Sequence, residues 1–177
     1  MTRGLVRHAL AALAVCTLSV AACADEQSPR ALTIKSTTLP LATGSETPRS
    51  IGKLVHRGSL RLTSDDDDFG GLSGLIVSDD GARFLAITDA SHWITGELEY
   101  RDGKLSRANG VQIGQLRAPD GSSLSGKEGD AEGLTGTLDG DVFVSFEGKH
   151  RIWRYAFAKD GMAGTPGVVQ TPAELSR

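Results

Sequence analysis

The sequence predicts an all-β fold, and three observations support this prediction. The chain has 177 residues, of which 22 are glycine while only 5% are aromatic, a balance that favours a turn-rich β protein over a helical bundle. Short apolar stretches alternate with Asp-Gly turns, which are a strong sequence signal for hairpins. The motif at residues 70–75 also recurs, with its following turn, at residues 129–134. The length is sufficient for a single domain with its own core.

The first 24 residues predict an export signal. Arg3 and Arg7 precede an uncharged apolar run from Ala9 to Ala22, and polar residues follow from Asp25 onward. The run is shorter than the roughly 18 to 20 apolar residues that span a bilayer, which disfavours a permanent transmembrane helix. We therefore expect an exported protein, either periplasmic or extracellular.

Two modes of signal cleavage stay open at this point. Ala22-Cys23-Ala24 fits an ordinary signal peptidase, whereas Val20-Ala21-Ala22-Cys23 resembles a bacterial lipobox that would make Cys23 a lipidated N-terminus. In the second case the lipid on Cys23 is the expected membrane attachment. The two cysteines of the chain, Cys16 and Cys23, lie in or beside the signal, so we expect no disulfide in the exported domain.

The charge balance excludes one class of partner. Without Arg3 and Arg7, the 19 basic side chains become 17 against 22 acidic ones, which gives a net charge of −5. Such a chain has no electrostatic footprint for nucleic acid. A negatively charged substrate would therefore require a local cationic pocket or a bound metal ion.

The chain before the repeats predicts a linker followed by a first strand. Residues 25–49 are rich in Ser, Thr and Pro, as in an extended tether or an edge segment, and the domain is expected over residues 50–177. Ile51 to Leu62 is a candidate first strand. The four charges of Asp65 to Asp68 cannot lie in a sheet interior, so they predict a solvated turn in preference to a peripheral cation site.

Two similar units follow, each with four predicted strands. The Gly-rich motif at 70–75, the turn Asp80-Gly81 and Phe84 recur as the motif at 129–134, Asp139-Gly140 and Phe143, at a spacing of 59 residues. The predicted strands of the first unit are Leu72–Val77, Arg83–Thr88, Gly96–Tyr100 and Val111–Leu116. Those of the second unit are Gly133–Leu138, Asp141–Phe146, Arg151–Phe157 and Gly167–Gln170.

Four antiparallel strands in each repeat predict β-propeller blades. Propellers usually close with four to eight blades, and two are recognisable before Arg177. Two blades alone would expose apolar faces and strand edges. We therefore expect this chain to be the N-terminal part of a longer protein, and to be inactive and poorly soluble by itself.

The motifs of the repeats resemble those of a known family. Residues 69–75 (FGGLSGL) and 85–89 (LAITD), followed by 129–134 (GDAEGL), 144–148 (VSFEG) and 151–155 (RIWRY), are similar to the phytase-like domain family, whose bacterial members are described as "esterase-like activity of phytase" proteins. The resemblance extends from about residue 50 to the end. It implies a secreted or periplasmic β-propeller that hydrolyses phosphate or other esters, with calcium as cofactor. The alternative is a non-catalytic propeller that binds a ligand or protein partner at the cell envelope.

Four acidic residues form the candidate cation site. Asp130 and Glu132 are alternate residues at the start of an inner strand, so their carboxylates project to the same side. Glu147 ends the next strand, and Asp89 has nearly the same place in the first repeat. Converging carboxylates are the ligands that Ca²⁺ requires. The alternative is that these acids cap turns at the ends of the blades.

Basic residues beside the acids are the candidate substrate contacts. Lys127, His150 and Arg151 could bind phosphate oxygens, or they could belong to a solvated loop face. Ser73, within Gly71-Leu72-Ser73-Gly74-Leu75, approaches the motif of a serine hydrolase, but Leu75 replaces the final glycine and no strand-turn-helix context surrounds it. We therefore assign no catalytic nucleophile.

Overall fold

The regular structure of the described chain is almost entirely antiparallel β-sheet. The computed structural model describes residues 29–41 and 50–172, so the predicted export signal and the final residues 173–177 lie outside it. A five-stranded sheet and a four-stranded sheet contain most of the strands, and two smaller two-stranded sheets accompany them. The prediction of an all-β fold is confirmed. None of the helices in this part of the chain is long and apolar enough to cross a membrane.

Five short strands precede the repeats. They are β1 (Arg30–Ala31), β2 (Lys35–Leu39), β3 (Ser50–Ile51), β4 (Leu54–Val55) and β5 (Ser59–Thr63), with β2 paired to β5 and β3 to β4. The single strand predicted from Ile51 to Leu62 is therefore wrong. Gly52 and Gly58 have φ angles of 58° and 120°, and these left-handed conformations break the extended run into three strands.

The first large sheet is an up-and-down meander. Its strands are β6 (Leu72–Val77), β7 (Arg83–Thr88), β8 (His92–Arg101) and β9 (Lys104–Gln115), and β1 pairs with the outer edge of β9. The predicted bounds of β6 and β7 are confirmed. The strands β8 and β9 are longer than predicted because they pair along nearly their whole length across the turn at Asp102-Gly103.

The second large sheet repeats this order. Its strands are β10 (Ala131–Gly136), β11 (Val142–Phe146), β12 (Arg151–Tyr155) and β13 (Gly167–Val168). A 3-10 turn at Gly126–Glu128 precedes it. The strand predicted up to Phe157 ends at Tyr155, because a single helical turn, α1 (Phe157–Asp160), begins there.

The turns at Gly81 and Gly140 confirm the repeat, but the residue equivalent to Phe84 differs from the predicted one. The amide N–H of Gly81 and that of Gly140 each donate to the carbonyl three residues earlier, at 2.7 and 3.2 Å, and the spacing up to this point is 59 residues. After the turn, strand register matches Phe84 with Val142, a spacing of 58. The predicted equivalence of Phe84 and Phe143 is therefore wrong, because the second turn is one residue shorter.

Both repeats contain the same irregularity in their first strand. The pairing register shifts around Ser73 in β6 and around Glu132 in β10. Such β-bulges place an extra residue outside the ladder of hydrogen bonds and redirect its side chain. The equivalent positions of the two sheets thus present a serine in one repeat and a glutamate in the other.

The main core lies between the two sheets. We define the front face of the first sheet by Leu85, Ile87 and Trp93, and the back face of the second sheet by Val142, Val144 and Trp153. These six side chains belong to one buried cluster. The sheets approach most closely at their first strands, where a Cβ atom on Gly74 would lie only 2.7 Å from the Cβ atom of Leu134.

The N-terminal strands cover part of the opposite side of the first sheet. This back face carries Phe84, Ala86 and Ile94, which pack in a second cluster with Leu32 and with the partly buried Leu62. The strands β2 and β5 contact β9, the outermost of the four meander strands. The N-terminal strands therefore lie towards the outer strands of the sheet.

An ion-pair cluster fastens β1 near the predicted acidic turn. The guanidinium of Arg30 donates to Asp66 at 2.6 and 3.0 Å and to Asp68 at 2.6 Å. The sequence analysis did not identify Arg30 as the partner of these carboxylates, because the two segments are separated by more than 30 residues in the chain.

Candidate functional site

The four predicted acidic residues lie at one end of the two sheets. Asp89 follows β7 and donates its amide N–H to the carbonyl of Gly71 at 2.9 Å, while Glu147 follows β11 and donates to the carbonyl of Asp130 at 2.8 Å. These two hydrogen bonds are equivalent in the repeats. Glu132 occupies the bulge next to Asp130. We call Asp89, Asp130, Glu132 and Glu147 the acidic rim.

The charges of the acidic rim act on Glu132. Partial desolvation raises the pKa of the Glu132 carboxyl, and the negative charges of Asp130, Glu147 and Asp89 raise it further. An interaction with the Asp130 side chain also favours the protonated form of Glu132 and so raises its pKa.

The rim is a loose group of carboxylates. Within residues 29–41 and 50–172, no three His, Cys, Asp or Glu side chains already surround one point as metal ligands would. Mutual repulsion between carboxylates favours this separation. The donor set nevertheless fits a hard cation such as Ca²⁺, which binds carboxylate oxygens and would offset their charge.

Gly71 allows the Asp89 carboxylate to lie close to the backbone of the first strand. A Cβ atom at Gly71 would be 1.9 Å from Oδ1 of Asp89, and the φ angle of Gly71 is +57°. A larger residue at position 71 would displace the carboxylate and strain the backbone. The Gly-rich motif of the sequence therefore has a specific structural purpose beside the rim.

The predicted basic residues lie in two neighbouring segments. His150 is in the turn between β11 and β12 and Arg151 begins β12, while Lys127 is in the 3-10 turn that packs against this turn. Lys127 and His150 are exposed, and the backbone of Lys127 packs against Gly148. Lys149 forms an ion pair with Glu128, which lowers the pKa of that carboxyl. Contact of Lys127 or His150 with a substrate stays a prediction.

Arg151 has a structural role in the described chain. Its guanidinium lies 4.0 Å from the ring centroid of Phe146 and 4.4 Å from that of Trp153. It also donates to the carbonyl of Lys149 at 2.8 Å and to the carbonyl of Glu128. These contacts hold the turn after β11 against the 3-10 turn. Binding of substrate by Arg151 stays a prediction.

Two serine residues tie the sheets together beside the rim. The Ser73 hydroxyl donates to the carbonyl of Ala131 at 2.5 Å, so the bulge residue of the first repeat bonds to the strand of the second. The buried Ser91 hydroxyl donates to the carbonyl of Gly129 at 2.9 Å. Sequence reasoning did not identify Ser91, because its partner lies 38 residues away in the chain.

The fold and the rim together define a class of protein: an all-β protein of two repeated sheets whose equivalent ends carry a candidate cation site. The family model for phytase-like proteins, described as "esterase-like activity of phytase", matches residues 67–177. This match spans more than half of the sequence, and the chain belongs to the phytase-like family. Comparison with curated proteins gives no match, and comparison with solved structures gives none either.

Proposed function

We propose that this protein hydrolyses phosphate or other esters with a divalent cation, most simply Ca²⁺, held by the acidic rim. Membership of the phytase-like family supports the hydrolase class. The observation that carries the cation site is geometric. Equivalent hydrogen bonds, from Asp89 to the carbonyl of Gly71 and from Glu147 to the carbonyl of Asp130, hold the acids of the two repeats at the same end of the sheets.

We also propose that the two sheets are successive blades of a β-propeller. Both are meanders in chain order, both contain the same bulge, and their first strands β6 and β10 contact each other. This arrangement supports a common axis beside the first strands, with the acidic rim at one end of it. Export to the periplasm or beyond, with a lipid on Cys23 as the candidate anchor, is part of the same proposal.

In this proposal the acidic rim binds the cation, and the cation activates the substrate and water. Asp89, Asp130, Glu132 and Glu147 would hold the cation, whose charge neutralises phosphate oxygens and lowers the pKa of an attacking water. Lys127 and His150, on the exposed turns beside Glu147, are the candidate contacts for the substrate anion.

Calcium binding and hydrolysis test this proposal separately. Isothermal titration calorimetry with Ca²⁺ on the full-length protein, which the hydrolysis assays below also use, should show binding that Glu132→Gln and Asp130→Asn each weaken at least tenfold. Hydrolysis of p-nitrophenyl phosphate and of p-nitrophenyl acetate then identifies the class of ester. Glu97→Gln, an exposed carboxylate in β8, is the matched control and should bind Ca²⁺ as the unaltered protein does. Unchanged Ca²⁺ affinity in both rim variants would contradict the cation site.

The second candidate is a non-catalytic protein that binds a ligand or partner at the cell envelope. The contacts of Arg151 and Lys149 favour it, because both side chains already interact with other residues of the domain. Binding of Ca²⁺ without hydrolysis of either ester would support this second function.

A further inference from the structure

Two hydrogen bonds from the first repeat fix the backbone on either side of the rim residue Asp130. The Ser91 hydroxyl donates to the carbonyl of Gly129 at 2.9 Å, and the Ser73 hydroxyl donates to the carbonyl of Ala131 at 2.5 Å. Gly129 and Ala131 are buried, so each serine satisfies a backbone group that has little access to water. We call this pair of hydrogen bonds the serine clamp.

Ser91 is itself held at both of its backbone polar groups. Its amide N–H donates to the carbonyl of Thr88 at 3.2 Å, and its carbonyl accepts from the amide N–H of Leu116 at 2.7 Å. Thr88 is the last residue of β7, and the rim residue Asp89 follows it directly. The serine clamp therefore starts from the same end of β7 that positions Asp89.

The contact between Ser91 and Gly129 leaves no room for a side chain at position 129. A Cβ atom there would lie 1.5 Å from the Ser91 Oγ atom, so it would push the hydroxyl away from its acceptor. At Gly70, the equivalent position of the first repeat at the spacing of 59 residues, nothing lies within 4 Å of a Cβ atom. The close approach at Gly129 thus accounts for the glycine there and not for the one at Gly70.

The second repeat binds the middle of the clamped segment. The amide N–H of Glu147 donates to the carbonyl of Asp130 at 2.8 Å. Three consecutive carbonyls, those of residues 129–131, are thus hydrogen-bonded, the outer two to the first repeat and the middle one to the second. This arrangement fixes the backbone of Asp130, and of Glu132 just after it, relative to Asp89.

We propose that Ser73 and Ser91 are positioning residues for the cation site, because the serine clamp sets the separation between the rim acids of the two repeats. This inference rests on the proposed cation site. A cation that binds carboxylates of both repeats has a higher affinity when their backbones are already held in place, because binding then has less of the chain to order. By linkage, the bound cation stabilises the clamp to the same extent.

Calcium titration of serine variants tests the positioning role. In the full-length protein, well below its melting temperature, Ser91→Ala and Ser73→Ala should each weaken Ca²⁺ binding by at least about fivefold, as measured by isothermal titration calorimetry. Ser73→Thr keeps a hydroxyl at the half-buried bulge and should retain the affinity of the unaltered protein. Circular dichroism checks the folding of each variant, and the Ser73 pair carries the test if Ser91→Ala does not fold.

Ser106→Ala is the matched control. The Ser106 hydroxyl donates to the carbonyl of Glu99 at 3.0 Å, near the turn between β8 and β9 at the other end of the first sheet. The variant removes a hydrogen bond of the same kind, so it should lower the melting temperature and leave the Ca²⁺ affinity unchanged. Equal weakening of Ca²⁺ binding by Ser106→Ala and the clamp variants would overturn the proposal, because general destabilisation would then explain it.

Hydrogen–deuterium exchange measures the clamp without a cation. In Ser91→Ala, the peptide that contains the Glu147 amide should exchange faster than in the unaltered protein, because the acceptor segment is no longer held from the other side. Added Ca²⁺ should slow the same exchange in the unaltered protein. Ser106→Ala should leave it as it is. Unchanged exchange in Ser91→Ala would overturn the clamp.

The rim variants Glu132→Gln and Asp130→Asn separate this inference from the proposed function. If they weaken Ca²⁺ binding and the serine variants do not, the positioning role is overturned and the cation site stands. If the unaltered protein binds no Ca²⁺, or the rim variants bind it equally well, the cation site is overturned and the positioning role with it.

Discussion

Glu132 is the residue at which the charges of the two repeats meet, and its titration has a defined sign. Its pKa is raised in the folded protein by desolvation and by the charges of Asp130, Glu147 and Asp89. Between its pKa values in the unfolded and folded states, the folded state binds more protons. The free energy of unfolding therefore falls as pH rises through this window.

The variant Glu132→Gln should reverse this effect. Without added cation near neutral pH, we expect it to raise the melting temperature, because it removes one of four like charges. The same variant should lose most of the increase in melting temperature that Ca²⁺ gives the unaltered protein. Thermal unfolding with and without Ca²⁺ measures both effects, with Glu97→Gln as the control. A lower melting temperature without cation would contradict the repulsion.

Arg151 stabilises the turn after β11 through contacts that lysine cannot reproduce. Its planar guanidinium stacks on Phe146 and Trp153 while it donates to two carbonyls. We expect Arg151→Lys to lower the free energy of unfolding by about 1 kcal/mol, the typical size of such a stack at a partly exposed site. Urea denaturation measures the change.

The control for this substitution is Arg154→Lys in the same strand. Arg154 is exposed and pairs with Asp141 at 3.2 Å, a surface interaction worth roughly 0 to 1 kcal/mol. Equal effects of the two substitutions would show that the stacking of Arg151 adds nothing.

At the scale of elements, the contact of Gly74 with Leu134 sets the distance between the sheets. A methyl group at Gly74 would lie 2.7 Å from the Leu134 Cβ atom and 3.1 Å from a side-chain atom of Ile87. We expect Gly74→Ala to lower the free energy of unfolding by about 1 to 3 kcal/mol through overpacking. Urea denaturation measures the loss.

A double-mutant cycle identifies the cause. Leu134→Gly removes the Cβ atom that the added methyl group would meet. It should lower stability by itself, but combining it with Gly74→Ala should cost less than the sum of the two, because the methyl group then has space. Gly70→Ala is the control, because nothing lies within 4 Å of a Cβ atom there. Additive losses would mean that the two residues do not share one contact.

Most of the strands could be predicted from the sequence, and the failures have local causes. The bounds of β6 and β7 follow from alternation around an Asp-Gly turn, which fixes register locally. The prediction of a single strand from Ile51 to Leu62 is wrong although the run is apolar enough for a strand. Gly52 and Gly58 adopt left-handed conformations, which composition does not reveal.

The candidate site was predictable only where it follows the repeat. The position of the four rim acids at strand ends follows from strand alternation at Asp130 and Glu132 and from the repeat that relates Asp89 to Glu147. Their role as cation ligands stays a prediction. The pairing of Arg30 with Asp66 and that of Ser91 with Gly129 connect distant segments, so no local pattern signals them. The spacing of 58 after the turn also requires the strand register, which the motif glycines do not provide.

At the scale of the whole molecule, ionised carboxyls favour the folded state. Four carboxyl groups have lowered pKa values, chiefly because each accepts a side-chain hydrogen bond. The pairs are Asp66 with Arg30, Asp80 with Ser78, Asp120 with Ser122, and Glu128 with Lys149. A lowered pKa contributes stability that is present above the unfolded value and is lost as pH falls through the folded value. We expect the urea midpoint to fall between about pH 5 and about pH 2.

Arg30→Gln tests the ion pair between Arg30 and Asp66, which are 36 residues apart in the chain. It should lower the urea midpoint near neutral pH and reduce its fall in acid, because Asp66 then titrates closer to its ordinary pKa. Arg61→Gln on β5, an exposed arginine, should leave the acid dependence unchanged. An identical acid profile for Arg30→Gln would show that the ion pair does not contribute.

The bulges at Ser73 and Glu132 allow the side chain at one position to differ between the repeats while the strand pairing stays the same. The residue at the bulge is outside the ladder, so its identity can differ between repeats while the neighbouring strand pairs keep the same order. One copy of the position then serves as a fastener between sheets, through the hydroxyl of Ser73, and the other presents a carboxylate to solvent. A repeated unit can in this way change the side chain at one position while its strand pairing stays the same.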